Sequence, residues 1–154
     1  MMHSISVGIM AYNEEGNIGR LLDALLAQKM RHGILQEIVV VSSGCTDRTE
    51  DIVKEYVRKD PRIRLLVQKN REGKASAINY YLSQAKGEII VLESGDTIPD
   101  TDTIDRLVEP FENPNVGMTG AHPVPVNDRN SFIGFVVHMM WGLHHRIATE
   151  SQKL

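Results

Sequence analysis

Up to Pro99, apolar residues follow two alternating rhythms. Ile5, Val7 and Ile9 fall at every second place, the period of a strand. This strand, Ser4 to Met10, ends at Ala11-Tyr12-Asn13-Glu14-Glu15. Ile18, Leu21, Leu22, Leu25 and Leu26 then form one helical stripe, and the spacing predicts a helix ending near Gly33. Glu37 to Val41 is a buried strand that ends at Ser42-Ser43-Gly44. Asp47 is the expected N-cap of the next helix, with Glu50 as its capping-box partner. That helix buries Ile52, Val53, Tyr56 and Val57 and stops before Pro61. Ile63 to Val67 is a third strand. Ala75 to Ala85 is a third helix with Ile78, Tyr81, Leu82 and Ala85 inward and Gly87 as its C′ residue. Ile89 to Leu92, four apolar residues in a row, predicts a strand covered on both faces. It runs into the oxygen-rich turn Glu93-Ser94-Gly95-Asp96, which Pro99 closes.

The order βαβαβαβ predicts an α/β fold: three layers, αβα, around a doubly wound, mostly parallel sheet. Ligands of such sheets bind beyond the carboxyl ends of the strands. All four of those ends are polar here, whereas the strand bodies are apolar. After Pro99 the spacing predicts a short helix over Asp102–Phe111 and a strand over Val116–Gly120. Two prolines make His122–Val126 extended. Ser131 to Ile147 reads as a helix that is apolar around most of its circumference.

A chain of 154 residues with 42% hydrophobic content is expected to form one domain with its own core. Its formal charge of −3 gives no basic footprint for nucleic acid. A single cysteine, Cys45, excludes an internal disulfide and fits a reducing compartment, so a cytoplasmic location is expected. No leader sequence is evident, and the apolar run Phe132–Leu143 is too short to span a bilayer. Two common phosphate-binding loops are absent: there is no G-x-x-x-x-G-K-[ST], and no G-x-G-x-x-G after the first strand.

Four segments, in order, resemble family 2 glycosyltransferases. Val7 to Glu15 is similar to the strand and alanine-tyrosine-asparagine-glutamate signature that open that family. Val40 to Thr49 resembles its second segment, where two aspartates usually stand in place of Ser42 and Ser43. Asn70 to Asn79, with Gly73-Lys74-Ala75, resembles the third. Ser94-Gly95-Asp96 lies where the aspartate-x-aspartate motif falls.

The resemblance implies a GT-A fold with its C-terminal part truncated, and metal-assisted transfer of a sugar from a nucleotide-diphosphate donor. Residues 1–99 would then be the donor-binding half and 100–154 the start of the acceptor half of a single domain. It places Tyr12 beside the base, stacking on it, has Asn13 and Glu14 shape the pocket, and counts Ala11 among the nucleotide-sugar-binding residues. Ser43 stands where an aspartate usually contacts the base. Arg71 and Lys74 lie near the pyrophosphate. Asp96, with Ser94 replacing the first aspartate, holds Mg²⁺ or Mn²⁺ and the donor phosphates. The chemistry asks for such groups independently: a departing nucleoside diphosphate gathers negative charge, which a hard cation, Lys and Arg can neutralise.

Ser43 leaves open whether the donor is UDP- or GDP-linked. Strand alternation sends Glu93 and Ser94 to opposite sides. The catalytic base is unassigned, with Asp128 and Glu150 as candidates carrying no motif. A saccharide or a lipid-linked molecule is the expected acceptor, and the helix over 131–147 either packs on the core or is a membrane-surface contact at the cytoplasmic face. Two alternatives stand beside this reading. One is a sugar nucleotidyltransferase, for which Gly16-Asn17-Ile18-Gly19-Arg20 is a poor phosphate loop. The other is a non-catalytic or truncated nucleotide-sugar-binding module.

Overall fold

A computed structural model describes residues 2–151, with side chains through Thr149. The elements are β1 (His3–Ala11), α1 (Ile18–Leu26), β2 (Gly33–Ser43), α2 (Thr49–Lys59), β3 (Ile63–Gln68), α3 (Lys74–Leu82), β4 (Ile89–Ser94), α4 (Thr103–Val108), a 3-10 turn (Glu109–Glu112) and α5 (Phe132–Ser151). They fall into two compact units, Met1–Thr119 and Gly120–Leu154.

The first unit holds a four-stranded sheet in the order β3-β2-β1-β4, with every pair parallel. The chain steps outward from β1 through β2 to β3, then returns to the other side of β1. That reversal puts a topological switch point between β1 and β4, where open α/β sheets bind ligands. Strand alternation sorts the core into two layers. Ile5, Val7 and Ile9 of β1 join Ile38 and Val40 of β2, the α1 stripe, Val53 of α2, and Ile104 and Val108 of α4. On the opposite face Val39 and Val41 of β2 pack with Ala77 and Tyr81 of α3. Gly8 of β1 is required there, because a Cβ would run into the Tyr81 ring. The Tyr81 hydroxyl donates to the Ser6 carbonyl oxygen at 2.7 Å.

Several local expectations are corrected. β4 is not covered on both faces: Ile89 and Val91 are buried, whereas Ile90 and Leu92 are 37% and 50% exposed. α3 lies over β1 and β2 and leaves that side of the edge strand open. Leu82 is exposed and Ala77 takes the place expected of Ile78. Adjacent helical residues point about 100° apart, so anchoring Tyr81 turns Leu82 outward. Gly87 lies beyond the end of α3 and instead allows the chain to pass against Ser6. α1 ends at Leu26, and Gly33 opens β2. Val57 is exposed, since α2 turns its Tyr56 side to α1, where the hydroxyl donates to the Gly19 carbonyl (3.1 Å) and to Asp23 (2.8 Å). Val116–Gly120 forms no strand, because no neighbouring strand pairs with it among the described residues.

Two buried carboxylates tie this unit together. Glu37 accepts from Ser6 Oγ (2.8 Å), Arg64 (2.7 Å) and the Lys86 N–H (2.7 Å). Asp105 of α4 accepts from the N–H groups of Arg31 (2.6 Å) and His32 (2.9 Å) and meets the His32 ring at 3.1 Å. Burial pushes the Asp105 carboxyl up, but these partners outweigh it and hold the group down at about 2.

In the second unit, Ser131 Oγ accepts the Gly134 N–H at 3.0 Å and the Asp128 carbonyl accepts the Ser131 N–H at 3.1 Å, which sets the start of α5. The His122 and His145 rings stack with centroids 3.9 Å apart. Phe132, Phe135, Met139 and Leu143 of α5 are exposed. Among the described residues no helix is long and apolar enough to cross a membrane.

Candidate functional site

The carboxyl ends of β1, β2 and β4 and the first turn of α3 surround a cavity of about 290 Å³, near the lower end of small-molecule pockets, roughly 300 Å³. Eight of the nine residues singled out from the sequence line it: Ala11, Tyr12, Glu14, Ser43, Arg71, Lys74, Ser94 and Asp96. They come from segments far apart in the chain, and the parallel sheet brings them to one place. Asn13 does not line it. It adopts the left-handed conformation (φ 55°), which Asn tolerates, and pairs with Thr46: the Thr46 N–H donates to Asn13 Oδ1 at 2.8 Å. The Cys45 thiol accepts the Asn13 N–H at 3.3 Å. Asn13 therefore braces the loop after β1 against the loop after β2.

The cavity has a cationic and an anionic side. On the first, the Lys74 ammonium donates to Ser94 Oγ at 2.9 Å. The Arg71 guanidinium lies over the Tyr12 ring, 4.0 Å from its centroid, a cation–π geometry. Gly44, at φ 67°, lets the chain turn where Arg71 passes, since a Cβ there would sit 2.5 Å from Arg71 N. Ser43 is buried and its Oγ accepts the Glu72 N–H at 3.2 Å. Ser42, fully buried, donates instead to Glu50 at 2.7 Å, so Glu50 does not form the expected capping box. Asp47 takes the Thr49 N–H at 2.9 Å and the Glu15 N–H at 3.0 Å.

On the anionic side Asp96 lies near two further carboxylates. Burial first, then the Asp96 and Asp47 charges, push Glu14 up from the usual carboxylate range. Burial, with Asp96 adding to it, pushes Glu93 up too, although the Thr97 hydroxyl donates to it and pulls the other way. Glu93 and Ser94 follow the strand alternation: Ser94 lines the cavity and Glu93 does not. Among the described residues no three His, Cys, Asp or Glu side chains form a complete metal-ligand set. Asp96 with Ser94 fits a hard cation that completes its shell with phosphate oxygens and water, as Mg²⁺ commonly does. Crowded carboxylates around Asp96 favour such a cation electrostatically.

Residues that hold this geometry left little trace in the sequence. Asn17 donates to the Gly95 (2.7 Å) and Thr97 (3.2 Å) carbonyls and so fixes the Asp96 turn to the start of α1. It sits inside the stretch read above as a poor phosphate loop. Thr49, fully buried, accepts the Glu14 N–H at 2.8 Å. Met10, Gly73, Ala77 and Gly95 complete the lining, mainly through backbone and small size, properties that no polar motif reports.

Comparisons with known proteins agree with this fold. The chain is 32% identical over 120 residues to the glycosyltransferase EpsJ of Bacillus subtilis, covering 78% of this chain and 34% of that protein. Among solved structures it is similar to the mannosyltransferase PcManGT of Pyrobaculum calidifontis, solved with GDP-Man and Mn²⁺ (TM-score 0.68, 32% identity, 76% of this chain and 34% of the other). It is also similar to glucosyl-3-phosphoglycerate synthase of Mycobacterium tuberculosis, solved with Mn²⁺, UDP and phosphoglyceric acid (TM-score 0.60, 28% identity, 72% and 39%). The chain thus spans between a third and two fifths of the length of these proteins. The α/β sheet is that of the GT-A glycosyltransferases. Residues 6–152 match glycosyl transferase family 2, and the chain belongs to that family.

Proposed function

We propose that this chain is the donor-binding part of a glycosyltransferase that moves a sugar from a UDP- or GDP-linked donor to a saccharide or lipid-linked acceptor. One observation carries the reading. Tyr12 at the end of β1 and Asp96 beyond the end of β4 line the same cavity at the switch point, with Lys74 and Arg71 beside them. A nucleoside diphosphate needs this combination of a flat ring for the base, cations for the phosphates and a carboxylate for a metal. Nucleotide or nucleotide sugar in the similar mannosyltransferase and synthase, with Mn²⁺ in both, supports it.

In transfer, an acceptor hydroxyl attacks the anomeric carbon, the bond to the diphosphate breaks, and the hydroxyl proton passes to a base. Lys74, which lines the cavity, would stabilise the charge growing on the diphosphate, and Asp96 with Ser94 would hold Mg²⁺ or Mn²⁺. When bound, that cation supplies Lewis acidity toward the leaving phosphates. Asn17 is committed to bracing the Asp96 turn, which favours transfer over nucleotidyl chemistry at that stretch. No base is assigned: Asp128 accepts the Asn130 N–H at 3.0 Å in the turn before α5, and the Glu150 side chain lies outside the described residues. We assign 1–99 to donor binding and 100–154 to the start of the acceptor half, and place the protein in the cytoplasm with α5 touching a membrane surface through its exposed apolar residues.

Calorimetric titration of UDP and GDP, each with and without Mn²⁺, tests the reading. One of them should bind with metal, and Asp96→Asn should weaken that binding at least tenfold. No binding of either at millimolar concentration overturns it.

A further inference from the structure

The Arg71 guanidinium covers one face of the Tyr12 ring. The guanidinium carbon stands 4.0 Å from the centroid of the Tyr12 ring. A base stacking on that face would need the same space. Arg71 forms no salt bridge or hydrogen bond through its side chain among the described residues; its partner is the ring. Its backbone, in contrast, is held on two sides. The turn at Gly44 packs against Arg71 N, and the next residue donates its N–H to Ser43 Oγ at 3.2 Å. Glu72 is further tied to Gln68 (3.1 Å) and Ser76 (2.8 Å). A fixed backbone thus carries a long, exposed side chain whose charge lacks an anion.

We propose that Arg71 is an exchangeable cover on Tyr12. A base takes the face of the ring that the guanidinium occupies, and the guanidinium moves to the diphosphate of the same ligand. The exchange is balanced chemically. The ring gives up a cation–π contact for a base stack, and the guanidinium gives up the ring for a charge-assisted bond to phosphate. A nucleoside without phosphates offers only half of this exchange. It must displace Arg71 and gives the guanidinium nothing in return. Arg71 therefore makes the site discriminate against bare nucleosides and in favour of diphosphates, beyond what Lys74 supplies as a point charge. This inference rests on the donor-binding reading above.

The test compares Arg71→Ala and wild type with two pairs of probes, UDP with uridine and GDP with guanosine, by NMR shift titration with Mg²⁺ present. For the pair whose diphosphate binds, the variant should hold the nucleoside about two- to fivefold more tightly, the size of an exposed cation–π contact. It should hold the diphosphate more weakly, so the two affinities move in opposite directions. If both affinities fall, Arg71 supports the pocket and covers nothing, and the inference is overturned while the donor-binding reading stands. If neither changes, the inference is equally overturned. If neither diphosphate binds wild type at millimolar concentration, the donor-binding reading fails and this inference with it.

Discussion

Ser94 is the residue at which this chain departs most clearly from a two-carboxylate metal turn. Its hydroxyl accepts from Lys74, and within this turn Asp96 supplies the carboxylate that lines the cavity. A serine contributes no charge, so metal affinity without nucleotide should be weak. Ser94→Asp would restore a second carboxylate on the cavity side of β4. It should tighten Mn²⁺ binding by about tenfold in the absence of nucleotide, since charge count tunes such sites; titration followed by Mn²⁺ paramagnetic resonance reads this directly. In the same cavity, Tyr12→Ala removes the flat surface. Loss of a base stack, less the cation–π contact that also disappears, should cost nucleoside diphosphate binding about 1–2 kcal/mol by calorimetry. The place of these residues at the cavity was legible because their types are chemically distinctive. The roles of Asn17 and Thr49 were not, because each acts through one hydrogen bond to a distant backbone group.

At the scale of elements, the sheet is positioned by two kinds of contact. The first is the fit of Tyr81 over Gly8, which seats α3 and so aims Lys74 at the cavity. Gly8→Ala forces a methyl group against a fully buried ring, and overpacking of that kind costs about 1–3 kcal/mol. Urea denaturation should show that loss, with weaker nucleotide binding alongside. The second is the Asp105 clasp between α4 and the chain before β2. Its folded pKa, about 2, lies below the ordinary 3.8, so it contributes stability above that value and loses it as pH falls toward 2. Asp105→Asn should remove about 2 kcal/mol at neutral pH and flatten the loss of stability between pH 4 and pH 2, measured by urea unfolding across that range. Periodicity exposed every strand of the sheet in the sequence, because each has an apolar run between polar turns. It did not reveal which side of β4 stays open or that Val116–Gly120 forms no strand. Both depend on which neighbours lie beside a strand, which local pattern does not encode.

The whole molecule places polar chain segments far apart in sequence at one end of a parallel sheet. The order β3-β2-β1-β4 explains why: the reversal at β1 opens a crevice between the loops after β1 and β4. Fold class and most lining residues could be read from the sequence because the alternation of β and α segments and the motif spacing constrain each other. Membership in glycosyl transferase family 2 fits the same arrangement. Binding of a nucleoside diphosphate in this crevice is the property on which the proposed function depends. It is tested most directly by mapping amide shifts of the ¹⁵N-labelled chain during titration with UDP or GDP and Mg²⁺. The largest changes should cluster at the lining segments around Tyr12, Ser43, Arg71, Lys74 and Asp96. Shifts centred elsewhere on the molecule, or none at millimolar nucleotide, would contradict it.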